Sequence, residues 1–401
     1  MNIFKKVFCR AYQIAFHAAL PLLPYREPKV LSGVEEIPTL LQKVGKRSVL
    51  LVTDDFLRRT GATAKLERAL SEQGIRCAVY DKTRANPTVD NVEEARALYL
   101  AEGCEALIAF GGGSSMDCAK AVGARIAYPK KPLNKLRGNL RVLRRIPKLI
   151  AIPTTAGTGS EVTLTAVITD AKTKYKYTMN DFPLIPSYAV LDPIVTYTLP
   201  PHLTATTGMD ALTHVVEAYI GRSTSREPRR CALDATKLIF ANIERAYADG
   251  EDREARENML RAAYLAGIAF SKSYVGYVHA VAHSLGGQYN IPHGLANSVI
   301  LPYVLEAYGK HAHKKLHDLA LAAGVASESD SDAVAAGKLI RAIKALNERM
   351  NIPQTLSGIR AEDIPAMAKH ADREANPLYP VPVLMDAKAL EAFYHQVAEE
   401  N

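Results

Sequence analysis

No stretch of this 401-residue chain reaches the ~18 consecutive apolar residues that a membrane-spanning helix needs, because Gln13 and His17 interrupt the best candidate at residues 11–23. A transmembrane segment is therefore not expected. Cysteine is scarce. The five present (Cys9, Cys77, Cys104, Cys118 and Cys231) are odd in number, widely spaced and form no C-x-x-C pair. That argues against a disulfide framework and a thiolate zinc site, and fits a reducing cytoplasm. Internal repeats and low-complexity tracts are missing as well, so disordered and collagen-like classes drop out. What the chain does have is 48% hydrophobic and 23% charged residues, material for a sizeable core. At about 150 residues per domain its length predicts two to three domains.

Acidic residues are absent from one segment. Overall, 50 Lys and Arg against 42 Asp and Glu give a net charge of +8, yet nine basic residues and no acidic one fall between Arg125 and Lys148. Such a run can in principle bind phosphate backbones. No series of aromatics alternates with the charges, so a solvated basic loop and helix is the expected role and nucleic acid is not an expected partner. At the N-terminus, Lys5, Lys6 and Arg10 precede the apolar segment, an outline shared by a signal peptide and by a basic helix lying on a membrane. Phe4, Val7, Phe8, Ala11, Ala15, Ala18 and Leu22 keep a three-to-four spacing, which predicts instead one helix packed by that face onto its own protein.

The first half alternates short apolar runs at residues 48–53, 76–80, 106–110 and 149–152 with segments of helical period such as 64–73 and 89–102. This is the pattern of a parallel sheet buried on both faces. Residues 166–169, 175–179 and 188–191 read as further strands. After Pro200-Pro201 amphipathic helices follow almost without interruption: 203–220, 229–247, 254–270, 278–288, 293–307, 333–350 and 387–398. The expected architecture is an α/β domain over residues 1–195, with 1–30 as a helical extension, and an all-helical domain over 196–401. A ligand cleft between the halves is the default expectation.

The run at 106–110 leads into Gly111-Gly112-Gly113-Ser114-Ser115 and then a helix. Glycines at a strand-to-helix turn let backbone N–H groups approach a diphosphate at a positive dipole end. The sequence is not the G-x-G-x-x-G fingerprint and follows a later strand than a standard Rossmann fold would use. A second polar loop, PTTAGTGSE at 153–161, brings the hydroxyls of Thr154, Thr155 and Thr158 to another strand end. Asp54 could accept from ribose hydroxyls and repel a 2′-phosphate, favouring NAD over NADP; capping the next helix is its other reading.

Asp210 and His214 stand at i and i+4 on one expected helix, His279 and His283 repeat that spacing on another, and His293 opens a third. Spacing of four stacks two side chains on one helix face. One carboxylate and three imidazoles brought together from three helices would each need a buried partner as core filler, so a metal site is expected. The nitrogen and oxygen set suits Fe(II), Zn(II) or another divalent ion. Spacing alone does not say which four of the five bind and which histidine is left to carry a proton.

GGGSSMDCAK, PTTAGTGSEVT, GMDALTHVVEAY and HAVAHSLGGQYNIPHG, in this order, resemble the motifs of the iron-containing (group III) alcohol dehydrogenases, and the likeness runs from about Leu31 to Ala398. The resemblance implies a dehydroquinate-synthase-like fold: an α/β N-terminal dinucleotide-binding domain and an all-α C-terminal metal-binding domain. It puts the metal ligands at Asp210, His214, His279 and His293, and a substrate-facing proton carrier at His283. Cofactor contacts fall on Asp54 and Asn86 for the adenosine side, Gly112, Gly113 and Ser114 for the diphosphate, and Thr154, Thr155 and Thr158 around the nicotinamide. Lys176, or Lys174 in its place, matches a lysine near the nicotinamide ribose. The implied activity is NAD(P)-dependent interconversion of a small alcohol or diol with its aldehyde or ketone by direct hydride transfer, in a homodimer or larger assembly. A lyase with internally recycled NAD is the alternative, and it resembles a different ligand set. One segment departs from the pattern. Residues 271–277 (SKSYVGY) place a lysine and two tyrosines just before His279, which predicts a narrower, more polar substrate entrance.

Overall fold

The computed structural model describes residues 1–19, 23–171 and 175–399. It divides into two compact units, Pro24–Leu199 and Met1–Leu23 with Pro200–Asn401.

In the first unit, β1 (Lys29–Leu31), α2 (Glu36–Lys43), β2 (Ser48–Val52), α3 (Asp55–Arg59), α4 (Ala64–Glu72), β3 (Arg76–Tyr80), α5 (Val89–Ala101), β4 (Ala106–Gly111) and α6 (Gly113–Ala127) follow in chain order. Beyond them come β5 (Gly138–Asn139), β6 (Lys148–Pro153), β7 (Thr165–Asp170), β8 (Tyr175–Asn180) and β9 (Tyr188–Val190). Six strands form a parallel sheet in the order β1-β9-β6-β4-β2-β3. Side chains alternate across it. Val49, Leu51, Ile108 and Ile150 enter one core cluster, and Leu50, Val52, Leu107 and Leu149 the other, so β2 is buried along its whole length. A smaller sheet pairs β7 and β8 antiparallel, with β5 at its edge. From β2 the chain moves outward to β3 and then back across to β4. The order therefore reverses beside β2 and β4, the place where open sheets of this kind bind ligands at their C-terminal edge.

The second unit carries α1 (Ile3–Ala19), α7 (Pro201–Ile220), α8 (Arg226–Ala248), α9 (Arg253–Ser273), α10 (Tyr277–Tyr289), α11 (His293–Tyr308), α12 (His313–Ala322), α13 (Asp332–Arg349), α14 (Ile364–Ala375) and α15 (Ala387–Val397). Two of these, α12 and α14, are not among the helices expected from periodicity, as β1 and β5 are not among the strands. Among the described residues no helix is long and apolar enough to cross a membrane.

The N-terminal helix differs from expectation twice. It packs with the helical unit and not with the α/β domain assigned to residues 1–195, and it docks by its polar side. Gln13, 5% exposed, donates to the carbonyls of Pro377 and Tyr379 at 3.1 and 2.7 Å, and Arg10 to those of Val381 and Pro382 at 2.8 and 2.9 Å. Lys5 pairs with Asp372 at 2.8 Å, and the N-terminal amino group with Asp386. Phe4, Val7 and Phe8, expected to be inside, are exposed; Leu22 lies outside the described residues. The reason is the partner. The carbonyls of Pro377, Tyr379, Val381 and Pro382 accept from Arg10 and Gln13, which the polar side of α1 carries and its apolar side does not.

The departure at 271–277 has the same origin. Tyr277 is fully buried, its hydroxyl donating to Met385 O at 3.0 Å and lying 3.1 Å from Asn376 Oδ1, while Tyr274 packs edge-on against Phe16 of α1 at 5.3 Å. Lys272 pairs with Glu227 at 2.7 Å. The two tyrosines brace the segment on which α1 sits, and Lys272 is joined to α8. The basic run is likewise tied up in part. Arg125 is buried against Glu93, and the ring of Tyr128, an aromatic inside the run, is covered by Lys131 and Arg144 at 4.7 and 5.0 Å.

Candidate active site

Two loops meet at the C-terminal edge of the large sheet. Gly112 stands at the N-cap of α6 with Gly113 and Ser114 in its first turn, and Thr154 N–H donates to Gly111 O at 3.1 Å, tying the second loop to the first. A Cβ on Gly112 would sit 3.3 Å from Thr155 Oγ1, and one on Gly113 only 2.8 Å from Thr158 Cγ2, so glycine is what lets the loops close together. Thr155 Oγ1 is buried without a hydrogen-bond partner among the described residues. An open helix N-terminus, a backbone cradle that side chains would fill and an unsatisfied hydroxyl suit a nucleotide diphosphate. Asp54 follows β2 and caps α3, accepting from Leu57 N–H at 2.9 Å, so the capping reading accounts for one of its oxygens. Asn86, in a left-handed conformation (φ 59°), accepts from Lys176 Nζ at 2.8 Å, which joins two positions ninety residues apart. Lys174 lies outside the described residues.

Behind these loops is a polar network that motif reading misses. Lys120 of α6, fully buried, has Ser160 Oγ, Thr163 O, Thr163 Oγ1 and Thr165 O at 2.9, 3.0, 3.0 and 2.8 Å. Asp117, one turn earlier, accepts from Ser160 Oγ at 2.9 Å and Val167 N–H at 3.0 Å. Burial lowers the Lys120 ammonium to about 8, against the pull of Asp117, and raises the carboxyl of Glu161 to about 7. The network clamps residues 160–167 to α6. A charged residue inside a helix buried nearly all round is the signal that could have found it.

In the helical unit, Asp210 and His214 project from one face of α7, His279 and His283 from α10, and His293 opens α11. Asp210, His214, His279 and His293 each offer a ligand atom, all within 4.8 Å of one another. His214 and His279 rings lie 4.5 Å apart, His279 and His293 5.4 Å, and His293 Nε2 is 3.6 Å from Asp210 Oδ1. His283 contributes no atom to that group. Its ring stacks on His293 at 5.0 Å and its Nδ1 meets Glu374 Oε1 at 2.6 Å. Gly294 brings the helices together: a Cβ there would collide with Thr206 O of α7 at 2.5 Å.

Two supporting residues escape motif reading. Glu217, 3% exposed, accepts from Gly276 and Val278 N–H at 2.8 Å each and lies 2.6 Å from His279 Nδ1. It follows His214 by three residues, one further turn along α7, a signal visible in the sequence. Asn297 donates to Asp210 Oδ1 at 2.6 Å. Burial raises the Glu217 carboxyl to about 8, and burial, with the neighbouring histidines, lowers His279 well below the usual histidine range. His279 Nδ1 faces the carboxyl that takes the Gly276 and Val278 N–H groups. Its buried Nε2 has no hydrogen-bond partner among the described residues, and a buried imidazole lone pair facing a carboxylate and two further imidazoles suits a divalent cation. Glu217→Gln leaves the helix intact but cannot satisfy all three donors. Its expected effect is metal affinity lower by about 10–100-fold, read by competition with a chelator.

The description "Iron-containing alcohol dehydrogenase" matches residues 28–193, and "Fe-containing alcohol dehydrogenase family, C-terminal" matches 204–398. A 1,3-propanediol dehydrogenase of Klebsiella pneumoniae is 39% identical over 366 residues, covering 90% of this chain and 93% of the relative. A crystal structure of a 1,3-propanediol oxidoreductase superposes with a TM-score of 0.89 at 36% identity, over 94% of this chain and 99% of that one. A sulfoacetaldehyde reductase from Bifidobacterium kashiwanohense, solved in complex with NAD+, gives a TM-score of 0.83 at 28% identity, covering 94% and 99%.

Proposed function

Since the chain belongs to the iron-containing alcohol dehydrogenase family and is an alcohol/aldehyde oxidoreductase of that type, we propose that it uses NAD and a ferrous ion held by Asp210, His214, His279 and His293 to interconvert a small alcohol or diol with its aldehyde or ketone. The observation that carries this is the convergence of four ligand atoms within 4.8 Å, one of them an unpartnered buried imidazole nitrogen. When bound, the divalent ion supplies Lewis acidity toward the substrate oxygen, and the nicotinamide takes or gives the hydride. Glu217 keeps His279 in the tautomer that presents Nε2, and Asn297 orients Asp210. With His283 Nδ1 committed to Glu374, its Nε2 is the atom that passes the proton to or from the substrate hydroxyl. Zinc or another divalent ion fits the same donors. The first turn of α6 with Gly112, Gly113 and Ser114 receives the diphosphate, and Asp54 and Asn86 the adenosine side. Thr154, Thr155, Thr158 and Lys176 lie toward the nicotinamide. The carboxylate of Asp54 at the end of β2 disfavours a 2′-phosphate, hence NAD ahead of NADP. The NAD+ complex of the sulfoacetaldehyde reductase supports this choice. Family membership supports net oxidoreduction over a lyase with recycled NAD. The five cysteines, all free, support a cytoplasmic enzyme, and a homodimer or larger assembly is the form we infer.

The test is NADH absorbance with anaerobically iron-loaded protein, both cofactors, and a panel of short alcohols, diols and aldehydes. Turnover that a chelator abolishes and added Fe(II) restores is expected. No turnover on any of them by protein shown to hold both metal and nucleotide would overturn the assignment.

A further inference from the structure

The helix α1 is amphipathic in the reverse sense. On its 3.6-residue repeat Ile3, Phe4, Val7, Phe8, Ala11, Ile14, Ala15 and Ala18 fall on one half, and Lys5, Cys9, Gln13 and Phe16 on the other. The second half is the one docked on the protein. The first faces outward, with Phe4 84% exposed, Ile14 70%, Ile3 66%, Val7 62% and Phe8 60%. The family match begins at residue 28, so this surface lies outside the architecture the family shares.

We propose that the outward face of α1 is a docking surface for an anionic lipid bilayer, on which the enzyme lies without crossing it. Charge favours this occupant. The helix carries no acidic residue; Lys5 is paired with Asp372 and Arg10 is turned to the loop carbonyls, and Lys6 and His17 line one border of the apolar face. A basic border around an apolar strip complements anionic headgroups above acyl chains, whereas two copies laid face to face would bring like charges together. Shape favours it too: the exposed apolar residues form one strip along a seventeen-residue helix about 26 Å long. A bilayer needs no more than the strip, because it accepts the apolar face of a single helix into its headgroup boundary. The polar anchoring fits as well: Gln13, Arg10 and Lys5 fix the helix from behind, so the apolar half is presented without refolding.

Vesicle flotation with the full chain decides this, using phosphatidylcholine alone or mixed with phosphatidylglycerol. The wild type is expected to float with the anionic vesicles at least about tenfold better than with the neutral ones, and less well as salt rises. Phe4→Glu with Phe8→Glu is expected to lower flotation by about tenfold or more, and Lys6→Glu to weaken it on anionic vesicles. These positions lie apart from the metal and nucleotide residues, so turnover of the variants serves as the control for folding. Wild type that floats with neither vesicle, or a double variant that floats as well as wild type, would overturn the proposal. So would a wild-type oligomer that sedimentation shows falling apart in the double variant, since a second copy would then be what covers the face.

Discussion

His293→Ala is expected to give a folded protein that no longer retains iron and turns over slower by on the order of a thousandfold. The imidazole is one of four donors that converge within 4.8 Å, and with three left the ion loses both a bond and the geometry that selects it. The same change costs the fold little. The His293 side chain is 29% exposed at the start of α11, and its loss leaves Asn297 still donating to Asp210. His279 would be a poorer test: it is buried, and its removal would leave a cavity and take from the buried Glu217 one of its three partners. Metal content by elemental analysis, a thermal melt and the NADH assay together check the prediction. Full activity with stoichiometric metal would remove His293 from the ligand set.

Lys120→Met is expected to lower the stability of the α/β unit by about 3 kcal/mol, because buried oxygen acceptors lose a charged donor. Methionine keeps the volume but withdraws the ammonium from four oxygen atoms and from the field of Asp117. Asp117, already pushed up by burial, is then left without its cation and takes a proton. For a domain of this size such a loss shifts Tm down by roughly 6–12 °C. Because the same ammonium clamps residues 160–165 onto α6, nucleotide affinity is expected to fall as well. Calorimetry and NADH titration read the two effects, and an unchanged melt would show that the hydroxyls and Asp117 satisfy one another without the lysine.

The parallel sheet was legible because its strands are continuous apolar runs, and burial on both faces leaves no polar position to confuse them: Val49 to Val52 contribute alternately to two cores. Short edges were not, since β1 and β5 span three and two residues and carry no period. Ligand types with a spacing of four, as at Asp210 and His214, could be found for the same reason that strands could: local geometry fixes which side chains share a face. The residues that hold them in place come from elsewhere. Glu374 meets His283 across ninety-one positions, Lys176 meets Asn86 across ninety, and no local pattern announces such pairs.

The N-terminal helix marks the limit. Its sequence determined that a helix forms, that one half is apolar and that no acid balances its bases. Which half turns inward was decided by the loop at 377–382, four of whose carbonyls accept from Arg10 and Gln13. The same division runs through the whole chain. Periodicity, glycine placement and ligand spacing are properties of neighbours along the backbone, and the sequence alone determined the two architectures, the glycine turn at 111–113 and the histidine pairs. Tertiary structure decided what is settled by partners distant in sequence: the carboxyl that faces His279 Nδ1, the burial of Lys120, the commitment of Tyr277 and the outward face of α1. Hydrogen bonds and desolvation act between atoms that only folding brings within reach.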